Sequence, residues 1–279
     1  MLNKVKEIKL NEDISFGNNN GPFILIAGPC VLEGLDRSLM IARKVKEITS
    51  KLGIPYVFKA SFDKANRSSL KSYRGPGLAD GLEMLQTIKN ELDIPVLTDI
   101  HQPEQAELAA EHVDILQIPA FLSRQTDLLK AAADTGLIVN IKKGQFLAPG
   151  DMEKVVDKVV STGSDRILLT ERGASFGYNN LVVDMTSLPI MRQLGYPVVF
   201  DATHSVQRPG AQGETSGGDR EFVPYLSRAA VAVGVDAVFM EVHDNPEEAL
   251  SDGPNMVYLE ELEEILKEVL AIDSLIKGR

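Results

Sequence analysis

Eight times along this chain, a short apolar run is followed by a stretch with helical spacing of its apolar residues. No other feature narrows the accessible folds as much. Residues 23–28 are apolar throughout, the pattern of a strand buried on both faces. Leu35, Leu39, Ala42, Val45, Ile48 and Leu52 then recur at three- and four-residue steps, which predicts an amphipathic helix, and Gly53 supplies its stop. The unit returns with strands at 56–58, 95–99, 115–118 and 138–141. Their helices are expected at 78–92, after Pro103 (a proline suited to a first helical turn), at 125–134 and at 151–160. Strands at 167–170, 197–200 and 237–240 follow, with helices near 188–194, 220–233 and 259–276. Eight such units predict a (β/α)8 TIM barrel, in which active sites lie at the C-terminal ends of the strands. An open doubly wound sheet is the alternative, but no Gly-x-Gly-x-x-Gly turn follows the first strand. Before the barrel, 4–10 and 14–16 read as a hairpin turning at Asn11-Glu12-Asp13. No Pro/Ser-rich linker divides the chain, so 1–279 is expected to be one domain, with the hairpin and its lead-out in 1–22 and the barrel in 23–279.

If the barrel forms, its strand ends share one mouth. They read Gly28-Pro29-Cys30, Lys59-Ala60-Ser61, Asp99-Ile100-His101, Gln117-Ile118-Pro119-Ala120, Lys142-Lys143-Gly144-Gln145, Glu171-Arg172-Gly173, Asp201-Ala202-Thr203-His204 and Glu241-Val242-His243. Polar or charged groups stand at every end. Lys59, Lys64, Lys142 and Arg172 can converge on an anion, with Gln117 and the Ala120 backbone as added donors. Arg67, Asn66, Ser68 and Ser69 extend this set beyond the second strand, and Arg and Lys suit phosphate or carboxylate oxygens. For each cation the competing role is an ion pair with a neighbouring carboxylate.

A second group is Cys30, His204, Glu241 and Asp252, all of them metal-ligand types. No Cys-x-x-Cys spacing accompanies them. Cys30 can equally be a small buried hydrophobe, and His243 competes as a ligand, two residues after Glu241. Residues 208–219 carry four glycines and read as a mobile lid or a surface loop.

The net charge of −11 and pI near 4.9 oppose nucleic-acid binding, which needs a basic surface. One cysteine excludes an intramolecular disulfide. The start lacks the apolar core of a signal peptide, and no run approaches the ~18 apolar residues of a membrane span. A cytoplasmic protein without a membrane partner is therefore expected.

Several of these stretches resemble the 3-deoxy-D-manno-octulosonate 8-phosphate synthases. They are Phe58-Lys59-Ala60-Ser61-Phe62-Asp63-Lys64-Ala65-Asn66-Arg67-Ser68-Ser69, Gln117-Ile118-Pro119-Ala120-Phe121-Leu122, Lys142-Lys143-Gly144-Gln145-Phe146, Phe176-Gly177-Tyr178-Asn179-Asn180 and Asp201-Ala202-Thr203-His204-Ser205. The resemblance spans about residues 23–278. It implies condensation of phosphoenolpyruvate with D-arabinose 5-phosphate, on the way to lipopolysaccharide. By motif, Lys59, Lys64, Gln117, Ala120, Lys142 and Arg172 would bind phosphoenolpyruvate, and Asn66, Arg67 and Ser68 the pentose phosphate. Lys64, His204, Cys30 and Asp252 would be catalytic. Arg67 and Ser68 would reach a neighbouring subunit's pocket in a homotetramer, and the hairpin would cover the barrel bottom.

Metal-dependent members of that family have Cys after Gly-Pro at the first strand end, and metal-independent ones have Asn. Gly28-Pro29-Cys30 therefore implies one divalent ion per subunit (Fe2+, Zn2+ or Mn2+) on Cys30, His204, Glu241 and Asp252, with Asp252 preferred to His243. The related seven-carbon synthase, which uses erythrose 4-phosphate, has a Lys-Pro-Arg-Thr-type segment where this chain has Lys64-Ala65-Asn66-Arg67-Ser68. Two further alternatives are a class I aldolase with a Schiff base on Lys142 or Lys59, and a non-catalytic sugar-phosphate binder.

Overall fold

A computed structural model describes residues 4–67, 69–210 and 217–279. The chain opens with an antiparallel pair, β1 (Ile8–Lys9) and β2 (Ser15–Phe16), shorter than the apolar pattern predicts. Asn11 caps the turn, its side-chain oxygen accepting from the Asp13 and Ile14 amides. The barrel then begins with β3 (Ile24–Gly28), α1 (Leu35–Leu52), β4 (Tyr56–Lys59), α2 (Leu78–Leu92), β5 (Val96–Asp99) and α3 (Gln105–Ala110). It continues with β6 (Ile115–Ile118), α4 (Thr126–Asp134), β7 (Ile138–Lys142), α5 (Met152–Val160) and β8 (Ile167–Glu171). After a small pair, β9 (Ala174–Ser175) and β10 (Leu181–Val182), come α6 (Ser187–Arg192) and β11 (Val198–Asp201). A second small pair, β12 (Gln207–Arg208) and β13 (Gly217–Gly218), precedes α7 (Val223–Val233), β14 (Ala237–His243), β15 (Val257–Tyr258) and α8 (Leu262–Lys277).

The eight barrel strands are parallel, in sequential order, and β11 pairs with β14 while β14 pairs with β3, which closes the ring. The helix expected after Pro103 forms, beginning two residues later at Gln105. The Pro103 carbonyl accepts from the Ala106 amide. The helix expected from 220 opens instead with a 3-10 turn over Arg220–Phe222. β14 runs three residues further than its apolar core, through Glu241 to His243.

Strand alternation sorts the core into two shells. Leu25, Phe58, Val96, Leu116, Val139, Leu169, Phe200 and Val238 face the helices. Ile24, Ile26, Val57, Leu97, Ile115, Ile138, Leu168, Val199 and Phe239 fill the barrel interior. Ile8, Ile14 and Phe16 of the hairpin pack into this same inner cluster, so the hairpin closes the N-terminal end of the barrel. Two residues further along each strand, the inward side changes character. Lys59 follows Val57, Asp99 follows Leu97, Gln117 follows Ile115, Asp201 follows Val199 and Glu241 follows Phe239. All five are buried. Lys142 stands at the same end of β7, above Asn140, which donates to Gln117 and accepts from Thr170. The period of two thus carries an apolar plug below and a polar floor above.

Candidate active site

That floor opens into a cleft of about 400 Å³ at the C-terminal ends of the strands. Lys59, Lys64, Gln117, Ala120, Lys142 and Arg172 all line it, and so do Asn66 and Arg67 from the loop after β4. Ser68 lies outside the described residues.

The cations are not equivalent. The Lys59 ammonium sits 3.0 Å from Glu241 and donates to the Cys30 carbonyl, also at 3.0 Å. Lys142 pairs with Asp201 at 2.6 Å and lies 3.9 Å from the centroid of the Phe239 ring. Burial lowers the Lys142 pKa from its ordinary value, and Asp201 recovers only part of that shift. The ion-pair role is therefore realised for these two lysines. Lys64 makes no ion pair among the described residues. Burial works against its charge, but Cys30, Glu241, Asp99 and Asp252 raise its pKa and keep it cationic. Arg172 donates through Nη2 to Gln207 at 2.9 Å, while its buried Nη1 has no partner among the described residues. An unsatisfied buried guanidinium nitrogen costs about 1–3 kcal/mol or more, so it marks a donor awaiting an acceptor.

Beside this cationic floor the second group comes together. Ligand atoms of Cys30, Glu241 and Asp252 all lie within 4.8 Å of one another. His204 Nε2 approaches Glu241 at 3.7 Å and Asp252 at 3.8 Å. Its Nδ1 lies 2.9 Å from Asp201, whose carboxylate accepts a hydrogen bond from Nδ1–H in the neutral ring and leaves Nε2 with a free lone pair. Burial opposes charge on Glu241 and Asp201, yet the cations around each hold both below the usual carboxylate range. Burial, then Glu241, push the Cys30 thiol well above its ordinary value. Its sulfur contacts Ser251 Oγ at 3.0 Å and Asp252 at 3.4 Å.

The donor set of thiol, imidazole and two carboxylates fits a first-row divalent ion. One observation supports the fit directly. Glu241 Oε2 is buried and has no hydrogen-bond partner among the described residues, as expected of an oxygen whose partner is a cation. His243 stands outside this group. It is fully buried, lies 3.2 Å from Glu33 and accepts from the Asn245 amide.

Four further residues belong to the site. Asp201 carries Lys142 on one side and His204 on the other. Gln207 bridges Arg172 to Asp252, and Ser251 meets Cys30. Asp99 is buried in the cleft wall with His101 at 3.1 Å and Ser61 as a second donor. Asp99 and Asp201 were legible as strand-end acids. Ser251 and Gln207 carried no sequence signal, because their roles depend on which loops meet. The β12–β13 pair forms the base of the expected lid, where Arg208 and Asp219 join at 2.6 Å. Residues 211–216 of that segment lie outside the described residues.

Residues 5–277 match the DAHP synthetase I family. The chain is 63% identical over 266 residues to a 2-dehydro-3-deoxyphosphooctonate aldolase of Cyanothece sp., covering 95% of this chain and 97% of that one. It is 60% identical over 272 residues to the protein of the same description from Geobacter metallireducens, at 96% and 100% coverage. The one from Geotalea uraniireducens is 60% identical over 273 residues, at 98% and 100% coverage.

Proposed function

We propose a function from one premise: this chain belongs to the DAHP synthetase I family. It is a transferase-type enzyme that condenses phosphoenolpyruvate with D-arabinose 5-phosphate and water. The products are 3-deoxy-D-manno-octulosonate 8-phosphate, which feeds lipopolysaccharide synthesis, and inorganic phosphate. The observation that carries the chemistry is one cleft holding a cationic floor against the Cys30–His204–Glu241–Asp252 group. The continuous sheet supports reading 1–279 as one domain.

In this reading Lys59, Lys64, Lys142 and Arg172 bind the phosphate and carboxylate of phosphoenolpyruvate, with Gln117 and the Ala120 backbone completing the subsite. The open Nη1 of Arg172 finds its acceptor there. Asn66, Arg67 and Ser68 hold the pentose phosphate. C3 of phosphoenolpyruvate bonds to the aldehyde carbon, whose oxygen takes up a proton. Water adds to C2, the C2–O bond to phosphate breaks, and the C2 carbonyl remains. Lys64, kept charged by its acidic neighbours, offsets the negative charge that develops on the aldehyde oxygen. Cys30, His204, Glu241 and Asp252 would hold one divalent ion (Fe2+, Zn2+ or Mn2+), which supplies Lewis acidity or positions water. Asp201 fixes the His204 ring for that role.

A cytoplasmic homotetramer completes the proposal. Among the described residues no helix is long and apolar enough to cross a membrane. Phe176 and Tyr178 are exposed at 70% and 98%, as surface destined for a partner would be.

The test is phosphate release from phosphoenolpyruvate with arabinose 5-phosphate, before and after chelation and with each metal restored. Release that stops on chelation and returns with metal is expected. Release with erythrose 4-phosphate but not arabinose 5-phosphate would overturn the eight-carbon assignment. The lowered pKa of Lys142 favours one second reading, a Schiff-base aldolase. Borohydride with substrate should leave Lys142 unmodified, and a mass adduct on it would establish that reading instead.

A further inference from the structure

Three separate chain segments must meet to assemble the Cys30, Glu241 and Asp252 donors, and one buried carboxylate touches all three. Glu33 stands three residues beyond Cys30, and its side chain is 3% exposed. One of its oxygens lies 3.2 Å from Nε2 of His243, two residues after Glu241 on β14. The other accepts the Leu250 amide at 2.8 Å, two residues before Asp252. The His243 bond has a defined direction. Nδ1 accepts the Asn245 amide, so in the neutral ring Nε2 carries the proton and donates it to Glu33.

Asp252 needs such a hold. Its φ of 50° places a non-glycine residue in the left-handed region, a conformation that costs about 1–3 kcal/mol and persists only where the surroundings impose it. On the other flank, Arg220 donates to the Gly253 carbonyl at 2.8 Å while its guanidinium lies 4.3 Å from the Tyr258 ring centroid. The Leu250 carbonyl in turn accepts from Arg67 at 2.7 Å. Arg67 donates to the Tyr73 carbonyl, and the Tyr73 hydroxyl donates to the carbonyl of Leu32. Glu33 therefore closes a hydrogen-bonded ring through the loops after β3, β4 and β14.

We infer that Glu33 is a positioning residue that holds the segments bearing Cys30, Glu241 and Asp252 in register for metal binding. This rests on the metal reading above. Groups one shell beyond metal ligands typically govern affinity by 10–100-fold.

The experiment titrates metal-stripped protein with Co2+, following the thiolate-to-cobalt absorption band and competition with a chelator. Thermal melting is recorded in parallel. Glu33→Ala should bind Co2+ about 10–100-fold more weakly than the wild type, with an altered thiolate band and a cooperative melt. Glu33→Gln keeps an acceptor for Leu250 but loses the one for His243, so it should lie between the two. A folded Glu33→Ala protein with wild-type affinity and band overturns the inference. Should Glu33→Ala not fold, wild-type affinity in Glu33→Gln overturns it instead. A wild-type protein that takes up no Co2+ refutes the metal reading itself, and the role of Glu33 with it.

Discussion

Cys30 shows how one side chain's surroundings select its chemistry. A buried thiol with a raised pKa is inert on its own. Beside Glu241 and Asp252 it would give up its proton to solvent only where a bound cation replaces that proton on sulfur. Cys30→Ala should therefore cost at least about 100-fold in divalent-metal affinity, the upper end of what outer-shell changes alone cost, and most of the turnover. Full activity of that variant after exhaustive chelation would sink the assignment.

Asp99 supports a pH prediction. Burial opposes its charge, but His101, Lys64 and Lys59 hold its pKa well below the ordinary aspartate value of 3.8. With the folded pKa below the unfolded one, the stabilisation is fully present above pH 3.8 and drains away as pH falls below it. Asp99→Asn should lower stability by about 1–3 kcal/mol at neutral pH. That deficit should shrink in melting curves taken at successively lower pH below 4, and a constant deficit would contradict the charge-based account.

At the scale of elements, β3 and β4 approach so closely that only glycine fits at Gly28. A Cβ there would lie 2.1 Å from the Lys59 carbonyl oxygen, which is backbone and cannot swing aside. Gly28→Ala should destabilise the barrel by about 1–3 kcal/mol through overpacking. It should also reduce metal affinity, because Cys30 and Lys59 both stand on the displaced strand ends. Thermal unfolding together with Co2+ titration checks both effects.

Element existence was legible from hydrophobic period, and so were the strand-end residues, since alternation puts Lys59, Asp99, Gln117, Asp201 and Glu241 on one face. Element ends were less legible. Glu241 and His243 extend β14 because the backbone there pairs with Gly28 of β3 and with Val257 and Tyr258 of β15, partners that no local pattern announces.

For the whole molecule, the outstanding question is whose cleft Arg67 serves. In this chain it lines its own cleft and donates to its own Leu250. The proposed tetramer would have it reach a neighbouring pocket. Subunits carrying Cys30→Ala and Arg67→Ala, each inactive alone, can be mixed under conditions that exchange subunits. If Arg67 acts across an interface, about a quarter of the sites regain both residues in a random symmetric assembly. No recovered phosphate release from an exchanged mixture would assign Arg67 to its own cleft.

The sequence alone determined the barrel, the charged strand ends and a set of candidate ligands in which Asp252 and His243 still competed, because hydrophobic period and residue chemistry are local properties. Tertiary structure decided which cations are paired and which remain open. Lys59 meets Glu241 across 182 positions of chain and Lys142 meets Asp201 across 59, whereas Nη1 of Arg172 has no partner among the described residues. It also placed His243 against Glu33 rather than in the donor cluster. Such pairings depend on which strand ends and loops become neighbours when the barrel closes, and closure juxtaposes residues that no stretch of sequence brings together.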